Sequence, residues 1–514
     1  MSVQANAVLE SGRATRREWI GLAVIALPCM LYAMDLSVLN LAVPALTADL
    51  KPTATQLLWI VDVYGFLVAG ALMTMGTLGD RIGRRKLLLI GAAFFGAASV
   101  LAAFAPSADL LIAARALLGL AGATLAPSTL SLIRNMFHDP RQRATAIGIW
   151  VASFSTGGAI GPVIGGLLIE HFWWGSVFLI AVPVMVLLLA IGPFLLPEYR
   201  DPAAGRLDLL SAGLSLVAVL SLVFAIKHGA VEGVDAAAAA ALVAGIVFGA
   251  LFVRRQRRLA DPMIDLSLFR APGFAAALAI NVIGLFAAFG TWLFLAQQLQ
   301  LGMGLSPLMA GLLTLPSGVS FVAGSLVAPR LLRRYSPRAV IVAGFLFAAA
   351  GYALLILGAE PDGVPLMLAG FVVFSLGLAP IMTVTTDIVV GVVPPERAGM
   401  ASGLSETSAE MGGAVGIAVL GTLGAAFYRT QMAVHVPPDL PADALARARD
   451  SFGAALDIAL TLPPAQAEEL ARLARDAFAV SYAATLSAAL VLSIVAAAMA
   501  ARLLRGVRSG SKAH

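Results

Sequence analysis

Charge is scarce in this chain. Only 12% of its 514 residues are Asp, Glu, Lys or Arg, against 60% that are hydrophobic. A water-soluble globule needs a polar exterior, so this balance excludes the water-soluble classes and makes lipid the solvent. Cysteine is scarcer still. The single Cys29 excludes a disulfide framework and any multi-cysteine metal site, and reads as a packing residue. The five His residues show no metal-ligand spacing, so no metal is expected. There is no Gly-x-x-x-x-Gly-Lys-Ser/Thr loop to cradle a nucleotide and no nucleophile motif. That argues against ATP-driven work and against a membrane enzyme, and leaves an ion gradient as the energy source with no cofactor. Tails of about 18 and 11 residues beyond the first and last apolar runs offer no signalling domain, which argues against a receptor. The formal charge of +5 is spread over short loops rather than gathered in one patch, so no nucleic acid partner is implied.

What is abundant is apolar sequence in long runs. The first begins at Trp19 and lacks a small-residue cleavage site, so it reads as a retained span rather than a signal peptide. Runs long enough to cross ~30 Å of hydrocarbon fall near 19–46, 55–78, 87–105, 109–133, 143–168 and 174–196, then 207–226 and 236–253, then 271–298, 307–329, 339–358, 364–392, 398–427 and 478–503. The expected fold class is therefore all-α, a polytopic membrane protein with 14 spans. It divides as a tail 1–18, a six-helix half 19–196, a loop 197–206, an inserted pair 207–253, a loop 254–270, a second half 271–503 and a tail 504–514. Within the second half, 428–477 forms a long outer loop whose Pro437-Pro438 and Pro463-Pro464 pairs bracket two expected short amphipathic helices. Most of the 34 Lys and Arg lie in the tails and alternate loops, whereas the short opposite loops hold Lys51 and Lys227. This asymmetry places both termini in the cytoplasm.

A repeat links the two halves. Gly76 to Lys86 after span 2 has a degenerate partner in Gly324 to Arg334 after span 10, and Gly157-Gly158-Ala159-Ile160-Gly161 in span 5 matches Gly412-Gly413-Ala414-Val415-Gly416 in span 13. The architecture expected is 6 + 2 + 6, with a substrate cavity between the halves. The string Gly76-x-x-x-Asp80-Arg81-x-Gly83-Arg84-Arg85-Lys86 sets a glycine turn, a carboxylate and guanidinium groups at a helix end. Such a charge cluster can hold one state of a rocking protein closed; a topological anchor would need the basic residues but not Asp80.

This string resembles the signature of the major facilitator superfamily. Met34-Asp35-Leu36-Ser37-Val38-Leu39-Asn40-Leu41-Ala42-Val43-Pro44 is similar to the acidic first-helix motif of the fourteen-span drug:proton antiporters. Arg115-x-x-x-Gly119 matches the embedded arginine of span 4, with Leu118 where Gln is usual, and Gly157-x-x-x-Gly161-Pro162-x-x-Gly165-Gly166 resembles the antiport motif of span 5. The likeness runs from about Trp19 to Arg502 and is closest to QacA/SmvA-like exporters. It implies a major facilitator fold in a bacterial cytoplasmic (inner) membrane. It also implies proton-coupled export, by a monomer, of quaternary ammonium compounds, dyes, methyl viologen and biguanide-type biocides. Export of one dedicated antibiotic or metabolite on the same fold is the alternative.

Charge inside the membrane leads to a compatible reading. A charged side chain at mid-bilayer costs at least ~2.5–3.5 kcal/mol and needs a partner, a cavity or a function. Five acids are expected there, Asp35, Asp62, Asp387, Glu406 and Glu410, against one buried base, Arg115. Excess carboxylate suits protons and cations and argues against anionic cargo. Glu406 and Glu410 stand one helical turn apart and titrate as a coupled pair, Glu406 as the main site and Glu410 as its tuner. Asp35 is a coupling or substrate acid, or a water-solvated one; Asp62 is an entrance residue or merely near water; Asp387 lies close to the cytoplasmic end of span 12 and is either solvated there or a further proton-coupling or cation-binding acid. Arg115 organises span 4 or tunes proton release. The glycines of spans 5 and 13 suit either plain helix packing or a rocking seam between halves. Trp59, Tyr64 and Trp150, alongside Phe154, Phe289, Trp292 and Met382, are either belt and packing residues or cavity lining, with Trp59, Tyr64 and Trp150 the candidates for lining.

Overall fold

The computed structural model describes residues 14–505, except 53, 201–207, 232–234, 260–261, 272, 306, 361–362, 395–397, 436–447 and 450–451. Among the described residues, 14 helical stretches are long and apolar enough to cross a membrane. With hydrocarbon around it, a backbone segment can satisfy its N–H and C=O groups only internally, and helices do so. Spans 1 to 6 are Arg16–Leu50, Ala54–Ile82, Arg84–Ala103, Ala108–Gly122 continued by Leu125–Met136, Pro140–His171, and Ser176–Leu179 continued by Ala181–Leu195. Spans 7 and 8 are Leu209–Val231 and Ala236–Gln256, and spans 9 to 14 are Phe274–Gln297, Pro307–Arg334, Pro337–Leu357, Val364–Val392, Ala398–His435 and Pro464–Leu503.

Local chemistry sets the helix starts. Ser107, Asp139, Asp235 and Ser336 each accept a backbone N–H from the first turn they precede, and Pro140 and Pro337 occupy the first helical positions behind two of these caps. Between spans 2 and 3 the chain reverses at Gly83, whose φ of 112° lies where only glycine is unstrained. The segment expected as an outer loop, 428–477, is helical at both ends. Span 13 runs on to His435, and span 14 starts at Pro464, so the second of the two expected short helices is the first part of span 14. Phe452–Ala459 forms a separate short helix, with Phe452 stacked on Phe478 at 4.4 Å.

The halves share one packing plan. Span 1 lies on span 5, span 2 on span 4 and span 3 on span 6; equivalently, span 9 lies on span 13, span 10 on span 12 and span 11 on span 14. The halves meet where span 2 packs on span 13 and span 5 packs on span 10. Of the two readings of the glycine ridges, the structure favours helix packing within a half over a seam between halves. A Cβ on Gly157 would strike the Met30 carbonyl and one on Gly165 the Val38 side chain, so the ridge of span 5 seats span 1 of its own half. Gly412 and Gly416 do the same against Val282 and Phe286 of span 9. Small residues let two backbones approach closely, and here they fix helices within each half. Gly161 is buried, whereas Gly158 and Gly166 face open space; the side chain of Pro162 lies outside the described residues.

Gly157→Val should therefore cost about 1–3 kcal/mol by overpacking and lower the thermal unfolding midpoint of the detergent-purified protein, while Gly158→Ala leaves it in place. Equal midpoints for the two variants would contradict the contact between spans 1 and 5.

Candidate functional site

Among the described residues, two groups of polar side chains inside the bundle include acids or bases singled out in the sequence. The first begins at Asp35 in span 1. Its carboxylate accepts from Arg115 Nη1 of span 4 at 2.5 Å, so the acid without a sequence neighbour and the base without a counterion answer each other across 80 residues. Arg115 is 1% exposed, and a buried guanidinium needs all its donors engaged. Nε donates to Ile60 O at 3.1 Å and Nη2 to Val61 O at 3.5 Å, and the guanidinium sits 4.6 Å from the centre of the Tyr64 ring, within cation–π range. Arg115 thus ties span 4 to spans 1 and 2. Asp35 also borders a small, mostly apolar cavity with Phe95 of span 3 and Val177, Phe178 and Ala181 of span 6; this cavity lies inside the first half, not between halves.

From Tyr64 an aromatic row continues towards the second half. Tyr64 and Tyr32 stand 6.0 Å apart, Tyr32 and Phe154 5.7 Å, and Phe154 and Trp150 4.8 Å, centre to centre. The Tyr32 hydroxyl donates to Glu410 Oε1 of span 13 at 3.1 Å, and Glu406 is half-buried one turn earlier on that helix. Acids from both halves therefore border one strip of aromatic rings. Tyr64 and Trp150 are buried in this row, Trp150 donating to Thr129 Oγ1 at 3.0 Å. Trp59 stands apart, 39% exposed and edge-on to Phe66, and Phe289 and Trp292 are more than half exposed. The side chain of Asp62 lies outside the described residues.

The second group lies at the bundle end that carries the 76–86 turn. Asp80 pairs with Arg84, and Arg84 Nη1 donates to Gly76 O at 2.7 Å. The Asp80 carboxylate also accepts from Gly399 N at 3.4 Å and Met400 N at 3.1 Å, the opening N–H groups of span 13. An acid at that position satisfies free donors and suits the positive end of the helix dipole. Gly76 makes this possible, because any Cβ there would collide with the Gly399 carbonyl. Arg85 donates to Pro193 O at 2.9 Å and Leu196 O at 3.1 Å, closing the last turn of span 6, while Glu198 accepts from Arg85 N and Lys86 N at 3.1 Å each and caps span 3. Arg81 is half-buried at the end of span 2.

At the same end, Arg143 Nε of span 5 meets Asp387 Oδ1 of span 12 at 3.3 Å, with both side chains less than a tenth exposed. Two sequence expectations are corrected here. Asp387 is not a solvated acid but half of an ion pair between halves. Arg115 is not the single buried base, since Arg84 and Arg143 are buried as well; both looked like loop charges because burial by the opposite half leaves no mark on the local sequence. Tyr32 and Glu198 were also missed. Tyr32 precedes Asp35 by one turn, a spacing that places an aromatic ring on the acid's face; Glu198 carried no signal.

Residues 25–417 match the family model described as Major Facilitator Superfamily. The chain is 47% identical to the multidrug efflux pump LfrA of Mycolicibacterium smegmatis over 95% of its own length and 96% of that protein's. It is 35% identical to the methyl viologen resistance protein SmvA of Salmonella typhimurium over 92% and 95%. It is 33% identical to a tetracenomycin C resistance and export protein of Streptomyces glaucescens over 94% and 91%. Its fold is similar to the crystal structure of the human organic anion transporter MFSD10 (TETRAN), with a TM-score of 0.63, coverage of 94% and 99%, and 14% identity. A shared fold at that identity carries no substrate with it. Twelve of the 14 apolar spans among the described residues packed as two like halves, a charged turn capping the opposite half and relatives among efflux pumps matched over nearly their whole length agree: the chain belongs to the major facilitator superfamily.

Proposed function

We propose that this protein is a multidrug exporter that moves bulky lipophilic cations out of the cytoplasm in exchange for protons. The observation that carries the reading is the contact between halves at Tyr32 and Glu410, where acids of both halves meet an aromatic row. Aromatic faces attract organic cations and carboxylates supply the opposite charge. A carboxylate holding a proton no longer attracts a cation, so shared occupancy of Glu406 and Glu410 couples the two flows in opposite directions. Asp35, held by Arg115, supports this site from the first half. The names of the relatives, a multidrug efflux pump and a methyl viologen resistance protein, support an organic cation as cargo. A dedicated antibiotic exporter remains the second reading, favoured by the tetracenomycin C relative.

Energy is adequate for the task. One proton crossing ~100 mV yields about 2.3 kcal/mol, and each pH unit adds ~1.4, enough for more than tenfold accumulation. The loops rich in arginine are inferred to face the cytoplasm. The end closed by Asp80, Arg84 and the Arg143–Asp387 pair is then the cytoplasmic one, and transport requires these contacts to break and reform.

Three outcomes are expected. In everted vesicles, uptake of ethidium, benzalkonium or methyl viologen follows an imposed pH gradient and stops with a protonophore; uptake that survives the protonophore would rule out proton exchange, and uptake confined to one antibiotic would favour the second reading. Glu406→Gln and Glu410→Gln each lower uphill efflux by about tenfold or more, as expected when one charge of a coupled pair is removed, with downhill efflux reduced less. Full uphill export by the double amide variant would remove these acids from the mechanism. Arg143→Gln or Asp387→Asn alone strands a buried charge at roughly 3–5 kcal/mol and impairs both folded yield and efflux, whereas the exchange Arg143→Asp with Asp387→Arg recovers much of each. A double exchange no better than the single variants would show that the pair is not a lock.

A further inference from the structure

The opening and closing described above leaves spans 7 and 8 without a task. Span 7 packs on span 2 of the first half and on span 13 of the second, so the inserted pair sits over the line where the halves meet. Past span 8 the chain comes back to that line. Met263 and Ile264, 3% and 5% exposed, enter a small apolar cluster with Met73 of span 2, Met400 of span 13 and Phe252 of span 8. The cluster is distinct from the two large cores of the molecule. Met400 is also the residue whose N–H is accepted by Asp80, so this contact and the charged turn act on the same first turn of span 13.

The turn at Met263 is held by a chain of polar contacts that an ordinary connection between two helices does not need. Gln256, the last residue of span 8 and 3% exposed, accepts from Met263 N at 2.7 Å and Ile264 N at 3.3 Å through one oxygen. Its amide nitrogen donates to Ser211 Oγ at 2.7 Å. Ser211 in turn donates to Asp208 at 2.7 Å, and Arg255 pairs with Asp208 at 2.8 Å. The Arg255 guanidinium, before all other causes, holds the Asp208 carboxyl well below the usual carboxylate range. Buried N–H groups without such an acceptor would be costly, so the seat at Gln256 is what allows Met263 and Ile264 to lie inside the seam. Three of the five side chains that meet there are methionines: Met73, Met263 and Met400 are unbranched and adaptable, suited to a contact that is made and broken.

We propose that the Met263–Ile264 turn is a strap across the seam between the halves, with Gln256 as its positioning residue. Seated, it bridges Met73 and Met400 and favours the closed state of this end; the end opens when the strap leaves. The proposal rests on the reading that the halves part here during transport.

The test uses the full chain in lipid nanodiscs, with spin labels on Lys86→Cys and Tyr335→Cys, exposed positions at this end of the first and second halves; the native Cys29 is fully buried. Inter-label distances are recorded at pH 5.5 and 8, with and without tetraphenylphosphonium. Met263→Ala with Ile264→Ala, and separately Gln256→Ala, should raise the ratio of open to closed molecules by about tenfold. Met263→Leu, which keeps the apolar volume, and Val243→Ala on the lipid-facing side of span 8 should match the parent. Folded strap variants with the parent's distribution would overturn the proposal. If the alanine variants do not fold, Met263→Cys in the unlabelled parent decides: its maleimide labelling should speed up about tenfold when Gln256→Asn shortens the seat, and an unchanged rate would overturn the strap. A parent whose distances never move would instead count against the transport reading, since the strap variants are compared with the parent under each condition.

Discussion

A charge placed among lipid-surrounded helices needs a partner, a cavity or a function, because the hydrocarbon offers neither water nor ions to solvate it. Most of what is organised in this bundle follows from that constraint. Arg115 reaches Asp35 and two carbonyls of span 2, so one side chain joins spans 1, 2 and 4 into a unit. Asp80 and Arg84 satisfy each other and, in doing so, engage the first turn of span 13. Arg143 and Asp387 join spans 5 and 12. The first of these pairs is internal to a half; the other two act between halves. The same demand thus builds the rigid bodies and also holds them together at one end.

Small residues separate these roles further. Gly157 and Gly165 bring span 5 onto span 1, and Gly412 and Gly416 bring span 13 onto span 9. Backbones in contact through glycine leave little room for sliding, which suits a fixed interface within a half. Between the halves, the backbones approach closely beside the charged groups, at Gly76 and Gly403 near the start of span 13 and at Gly148 against Ser325, and Gly318 of span 10 lies against Ala159 of span 5 farther along. An interface tight at one end and lined by aromatic rings and acids further in is suited to rocking about a central site.

The inserted pair fits the same logic. A helix hairpin lying wholly in lipid would have no reason to bury Gln256 and Ser211, yet these residues are buried and joined to each other. Their bonds position a turn of the following chain against span 2 and span 13 together. The insertion is therefore built into the line of contact between the halves rather than added at the periphery.

Much of the architecture was legible in the residue order, since the length of each apolar run is set by the thickness of hydrocarbon and the capping residues mark the helix starts. Fourteen spans, the division into two like halves and the 76–86 turn could be read that way, as could the acids at Asp35, Glu406 and Glu410. Partnership could not. Asp35 and Arg115 are 80 residues apart, Arg143 and Asp387 are 244 apart, and Tyr32 and Glu410 are 378 apart; periodicity along one helix says which face a residue occupies but not which helix lies opposite. The side on which the glycine ridges pack was undecided for the same reason. Sequence alone determined a lipid-embedded helical transporter with acids inside it, because solvent chooses composition; tertiary structure decided which charges neutralise one another, because that depends on helix neighbours chosen by packing.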